Sequence, residues 1–248
     1  MSQASMITGE TNQETRRSVV TREEWVEARR ALLAREKAFT RERDALSAAR
    51  RELPMVKVEK SYLFEEPNGK RSLAELFEGK RQLIVYHFMF DPSWDEGCKS
   101  CSFVADNFEG SLVHLSARDT SFAAISRAPF AKLEGFKKRM GWKFRWLSSS
   151  GTDFNYDYHV SFRPEDVAAR AVEYNYEKKP FSGSEAPGLS VFLREGNDIF
   201  HTYSTYARGL DLLINTYNYL DLTPLGRQEQ GLPYGMAWVR HHDKYDAP

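Results

Sequence analysis

The sequence predicts an α/β fold, a three-layer sandwich in which helices cover both faces of a mixed central sheet. Three observations carry that expectation. Leu83-Ile84-Val85-Tyr86-His87-Phe88-Met89-Phe90 is an unbroken apolar, β-rich run of the kind buried on both faces of a sheet. Segments of strand and helix periodicity alternate along the chain, as they do in a wound sheet. A length of 248 residues with 41% hydrophobic content suffices for one sizeable core with appendages.

Residues 1–20 are polar and lack the apolar run of a signal peptide or membrane helix, so they predict a disordered tail on a soluble, cytoplasmic protein. Lys plus Arg and Asp plus Glu number 35 each. Such a balance supplies no net field for nucleic acid or an acidic membrane surface. Thr21-Arg22-Glu23-Glu24 has the form of a capping box and predicts a helix over 21–52. Along it Trp25, Leu32, Phe39 and Leu46 recur every seven residues in a narrow apolar stripe, which predicts docking on the domain or on a second copy of the chain.

Pro54 stops this helix, and the main domain is expected over 53–225. Val56, Val58, Tyr62 and Phe64 suggest an extended segment leading to a turn at Pro67-Asn68-Gly69. A short helix between Ser72 and Gly79 precedes the 83–90 strand. Cys98 and Cys101 follow after the loop 91–97, and Val104, Phe108, Leu112 and Leu115 then recur at helical spacing. The CxxC motif therefore sits on a strand-to-helix turn. A strand over 121–126, a helix over 130–140 ending near Gly141 and a short strand over 143–147 come next. Residues 153–186 read as an insertion with a helical patch at 164–171. A hairpin over 189–193 and 199–203, an amphipathic helix over 210–220 and a tail over 226–248 complete the chain.

The two cysteines, separated by two residues, are too close to staple a fold, so redox or metal chemistry explains them better. At a helix start the first sulfur lies near unpaired amides that stabilise a thiolate, which makes Cys98 the nucleophile and the deeper Cys101 the resolving thiol. Lys99 favours that thiolate, whereas Asp95 and Glu96 oppose it. This reading needs no cofactor. The alternative is a copper or zinc site in which Cys98 and Cys101 recruit a distant histidine, His87 or His241. Against it, His87 reads as a core residue of a buried strand, and His241-His242 as a surface patch. A non-catalytic interaction domain using the Trp25 helix is the third reading. Just after the hairpin, Tyr206 and Arg208 are placed to line a substrate groove, Arg208 offering a fork for a carboxylate.

The order of elements resembles thioredoxin. Pro187-Gly188-Leu189-Ser190-Val191-Phe192 stands where thioredoxins carry a proline that opens the hairpin, is cis and packs on the reactive sulfurs, so the resemblance makes Pro187 a substrate-binding residue. Cys98-Lys99-Ser100-Cys101-Ser102, Ser126-Arg127-Ala128-Pro129, Met140-Gly141-Trp142, Trp146-Leu147-Ser148-Ser149 and the segment from His201-Thr202-Tyr203 to Ala207-Arg208-Gly209 are similar to a bacterial thioredoxin-like family of unassigned function, DUF899, over about residues 20–245. The resemblance implies a thiol–disulfide oxidoreductase acting on a protein or low-molecular-weight thiol. Two departures stand out: Gly97 replaces the usual Trp before the first cysteine, and Lys99-Ser100 replaces Gly-Pro between the two. A peroxiredoxin pattern fails, since Pro92 is displaced by one position and Asp95 takes the place of the Thr or Ser hydroxyl.

Overall fold

The computed structural model describes residues 18–246, so most of the expected N-terminal tail lies outside the described residues. The chain divides into two compact units at the junction of Glu52 and Leu53. Among the described residues the first contains one helix, α1 (Arg22–Arg51), whose capping box is formed: the Thr21 amide donates to Glu24 at 2.8 Å and the Glu24 amide to the Thr21 hydroxyl at 3.2 Å. Glu23 and Glu24 in its first turn and Arg50 and Arg51 in its last complement the helix dipole. Trp25, Leu32, Phe39 and Leu46 are all exposed.

The second unit is built on a mixed sheet. Its strands are β1 (Val56–Lys57), β2 (Leu63–Glu66), β3 (Gly69–Ser72), β4 (Gln82–His87), β5 (Thr120–Ser126), β6 (Trp146–Ser148), β9 (Gly188–Glu195) and β10 (Asp198–Tyr206), in the order β1-β10-β9-β4-β5-β6-β2-β3. Strands β7 (Val172–Tyr174) and β8 (Glu177–Lys179) form a separate ribbon inside the insertion. The expected single extended segment over 56–64 is split: β1 pairs with β10 at one edge, and β2 joins β6 and β3 at the other. Strand β4 lies centrally, parallel to β5 and antiparallel to β9. This is the thioredoxin-like arrangement, with the CxxC motif at the carboxyl end of a central strand.

The helices are α2 (Lys99–Ala105), α3 (Glu109–Ala117), α4 (Phe130–Arg139), α5 (Phe154–Asp157), α6 (Pro164–Ala168) and α7 (Asn215–Leu220). Helical spacing from Val104 to Leu115 suggested one helix, but the chain breaks it at Asp106–Phe108 into α2 and α3. The expected 210–220 helix is likewise a 3-10 stretch, Ala207–Leu213, followed by α7. One face of the sheet packs Tyr86, Phe88, Cys101, Phe103, Phe136, Trp146 and Tyr217 into a single core; the other packs Leu83, Val85, Ile125, Phe154, Tyr158 and Phe192. Residues 226–246 belong to the domain and not to a free tail, for Val239 and His241 are buried and Met236 and Trp238 pack on the core.

Two contacts tie the loop before Cys98 in place. Gly97 is buried against Phe88 and Phe136, so closely that a Cβ there would stand 2.8 Å from the Phe88 ring and 2.9 Å from the Phe136 ring. Those rings explain why no tryptophan fits before Cys98. At the head of the same loop, Arg127 donates to Asp91 at 2.7 Å and to Glu185 at 2.6 Å, while Ser184 donates to Asp91 at 2.9 Å and Ser161 to Glu185 at 2.9 Å. The insertion is thus clamped to the loop through one guanidinium. Burial is the main cause that pushes Glu185 up from 4.5 to about 7, with Arg127 opposing it.

Two predictions follow from these contacts. Gly97→Ala forces two aromatic rings apart in a packed core, and the expected loss is about 1–3 kcal/mol in denaturant unfolding. Glu185 binds a proton in the fold over a pH range in which the unfolded chain has released it. Its contribution therefore falls as pH rises from about 4.5 to about 7, by about 2–3 kcal/mol in all. Unfolding free energies of Glu185→Gln measured across that window should be flatter than those of the wild type; an unchanged slope would refute the assignment.

Candidate active site

Strand β4 runs out at His87, and the chain crosses the end of the sheet before turning into α2, whose N-cap is Cys98. The Cys98 amide donates to the Met89 carbonyl at 3.1 Å, and the Met89 amide points at the Cys101 sulfur at 3.4 Å. This reciprocal pair fixes both cysteines relative to the strand. Cys98 is half-buried, whereas Cys101, one turn further along, is only 1% exposed.

The two sulfurs have opposite electrostatics. A hydrogen bond from the Cys101 thiol is the largest cause that lowers Cys98 from 9.0 to about 7; burial opposes it, and the amides of Cys101 and Ser100 with the Ser100 hydroxyl add to it. Burial pushes Cys101 well above the ordinary thiol range, and the neighbouring Cys98 adds to that rise. The lysine between them is engaged elsewhere: Lys99 donates to the Ala237 carbonyl at 3.0 Å and lies 5.8 Å from the Tyr234 ring centre. Nor is Glu96 free to oppose the thiolate, since Arg139 and Lys244 neutralise it at 2.5 and 2.9 Å.

Beside the motif lies a cavity of about 750 Å³ whose walls include Cys101, Tyr86, Pro187 and Arg208. Pro187 and Cys101 thus line one cavity, but the expected cis bond is absent: every described peptide bond is trans. The reason lies in its neighbours. The Ala186 amide donates to Val160 at 2.9 Å, the Pro187 carbonyl accepts from the Tyr174 hydroxyl at 2.8 Å, and Gly188 already belongs to β9. The insertion thus delivers this segment extended, and the carbonyl of Pro187 is already occupied.

Tyr206 does not line the cavity. It is buried with Val160, Phe162 and Tyr174, and its hydroxyl donates to the Tyr158 carbonyl at 3.1 Å. Arg208 stands at the mouth with its side chain 87% exposed, yet its Nε and Nη2 already face Asp211 at 3.2 and 3.0 Å. The expected fork for a carboxylate is taken. Sequence reading missed most of the wall: Tyr86, Tyr217, Arg227, Glu229 and Met236, which lie far apart in the chain and share no motif.

The metal alternative does not find its ligands assembled. Alternation along β4 sends His87 to the face opposite Tyr86, against Phe154 and Tyr158, with Nε2 2.8 Å from the Ser190 hydroxyl. Burial lowers it from 6.5 to about 3, so it is neutral. His241 is buried and not a surface residue, its Nε2 bonded to the Gly97 carbonyl at 2.8 Å. Among the described residues no group of three or more His, Cys, Asp or Glu is arranged to hold a metal ion. Nor is any helix among them long and apolar enough to cross a membrane.

Among solved structures, the chain is similar to the peroxidoxin BcpB of Mycobacterium tuberculosis at 13% identity and a TM-score of 0.42, over 68% of this chain and 97% of that one. It is also similar to the mitochondrial 2-Cys peroxiredoxin of Plasmodium falciparum at 12% identity and a TM-score of 0.40, over 68% and 94%. A third similar structure is PrxQ of Xylella fastidiosa, at 10% identity and a TM-score of 0.39, over 67% and 94%. No curated protein matches the chain. The profile of a family described as bacterial proteins of unknown function, DUF899, matches residues 14–245, and with the CxxC turn and the mixed sheet both inside that span, the chain belongs to this family.

Proposed function

We propose that the protein is a thiol–disulfide oxidoreductase in which Cys98 attacks a disulfide partner and Cys101 resolves the mixed disulfide. The observation that carries this reading is the inequality of the two sulfurs. A half-buried thiol brought down to about 7 sits in hydrogen-bond contact with a buried one pushed far up. In the first step the Cys98 thiolate bonds to one sulfur of the partner and expels the other as a thiolate. In the second the Cys101 thiol, on losing its proton, attacks the Cys98 sulfur, which closes the Cys98–Cys101 disulfide and releases the reduced partner. The oxidised partner, a protein or a small disulfide, is the electron acceptor.

Low pKa in one sulfur serves both the first attack and the later regeneration, because it raises the thiolate fraction for attack and makes Cys98 the better leaving group when the Cys98–Cys101 disulfide is reduced. Alkylation at mildly acidic pH should label Cys98 well before Cys101. Cys98→Ser is expected to abolish disulfide reductase activity, and Cys101→Ser to leave a protein trapped as a mixed disulfide through Cys98. Equal labelling rates and no trapped adduct would overturn the reading. A metal-binding role predicts instead that either substitution lowers metal stoichiometry to a similar extent.

A further inference from the structure

The cavity beside the motif touches the wrong cysteine for a simple substrate pocket. Cys101 and Ser100 form part of its wall, whereas Cys98 is not among the residues that line it. Its floor is buried and largely apolar, with Val104 and Ile214 beside Tyr86, and its mouth is marked by exposed Arg208, Asp221 and Tyr234. A volume of about 750 Å³ suits a small molecule and not a polypeptide. Tyr86 is completely buried, and its hydroxyl, which makes no other hydrogen bond among the described residues, faces the Cys101 thiol. A buried donor aimed at one sulfur is placed to stabilise negative charge on it.

We infer that this cavity admits a low-molecular-weight thiol without net negative charge, which reduces the Cys98–Cys101 disulfide by attacking the Cys101 sulfur. The inference rests on the oxidoreductase reading above and supplies its electron donor. In the first step the incoming thiolate bonds to Cys101, the Cys98–Cys101 bond breaks, and the electron pair leaves on Cys98 as its thiolate. A second molecule of the same thiol then attacks the outer sulfur of the Cys101 mixed disulfide. The small symmetrical disulfide departs, and Cys101 is released as a thiolate that takes up a proton. Two thiols are oxidised to one disulfide and the protein disulfide is reduced to two thiols.

Geometry and leaving-group chemistry agree on this direction. Cys101 lines the cavity and Cys98 does not, so a thiolate in the cavity meets the Cys101 sulfur, and displacement there expels Cys98. Cys98, lowered to about 7, is also the better leaving group of the two. In the second step the leaving sulfur is the poor one, and here the Tyr86 hydroxyl and the Met89 amide, 3.4 Å from that sulfur, are placed to donate to it. The charge preference follows from the rim. Arg227 is held by Asp211 and Asp221 at 3.2 and 2.6 Å, Arg208 by Asp211 at 3.0 Å, and Glu229 has only the Tyr217 hydroxyl and the Trp238 ring N–H as partners. Three carboxylates thus face two guanidiniums that are already engaged.

The test uses the full chain, oxidised with diamide, mixed with 2-mercaptoethanol, quenched in acid and blocked with N-ethylmaleimide. Peptide mapping should find the mercaptoethanol adduct on Cys101 and the maleimide on Cys98. Met236→Trp, which fills the cavity, should slow reduction by 2-mercaptoethanol about tenfold, and Tyr86→Phe should let the Cys101 adduct accumulate. Normalised to their rates with dithiodipyridine, 2-mercaptoethanol should outpace 2-mercaptoethanesulfonate. An adduct on Cys98, or a sulfonate that reacts at least as fast, would overturn the inference and leave the oxidoreductase reading standing. Failure of diamide to close a Cys98–Cys101 disulfide at all would overturn both.

Discussion

A strand buried on both faces must send successive side chains into opposite layers, and the site depends on how β4 obeys that constraint. Tyr86 and Phe88 enter the layer that contains Cys101, while Val85 and His87 enter the layer built on Phe154, Tyr158 and Phe192. Pairing with β5 on one side and β9 on the other leaves no freedom to slip, since a shift of one residue would exchange the two sets. Chemistry follows from this alternation. It places a phenol beside the sulfur pair and withholds the imidazole from it.

The turn into α2 converts that strand geometry into an unequal pair of thiols. Cys98 is lowered first by the Cys101 thiol that donates to it and then by the amides at the start of the helix, and Cys101 loses solvent because it is one turn deeper on the core side. Neither effect depends on the charged residues of the motif. Lys99 and Glu96 are both drawn into contacts with the C-terminal segment, and that segment forms part of the cavity wall through Tyr234, Gly235 and Met236.

The insertion performs the equivalent task on the other side. Tyr174 holds the Pro187 carbonyl and, through the same hydroxyl, accepts from the Ala207 amide at 3.0 Å, so both ends of the β9–β10 hairpin are tied to one residue of the ribbon. Glu185 and Ser184 join the loop at Asp91 through Arg127. Gathering two carboxyl groups around one part-buried guanidinium is a costly way to make such a tie, since removing charge from water is only partly offset by pairing, and Glu185 holds its proton up to about pH 7 as a result. The position of the tie explains its use: both elements that frame the motif end within reach of Arg127.

Local chemistry sufficed for the sequence to determine much of this protein. The capping box at Thr21, the central strand from its apolar run, the CxxC at a strand-to-helix turn and the hairpin around Gly196 are each signals contained in a few neighbouring residues. What only the tertiary structure decided required pairing of residues remote in the chain. The split of 56–64 between two sheet edges, the trans bond at Pro187, the withdrawal of Tyr206 into a core, the burial of His241 and the engagement of Arg208 by Asp211 all depend on which segments meet. The motif itself divides along the same line. Adjacency in sequence puts Cys98 and Cys101 in hydrogen-bond contact, but which of the two sulfurs is raised is decided by the layer that buries Cys101, because burial is a property of the packed chain and not of any stretch of it.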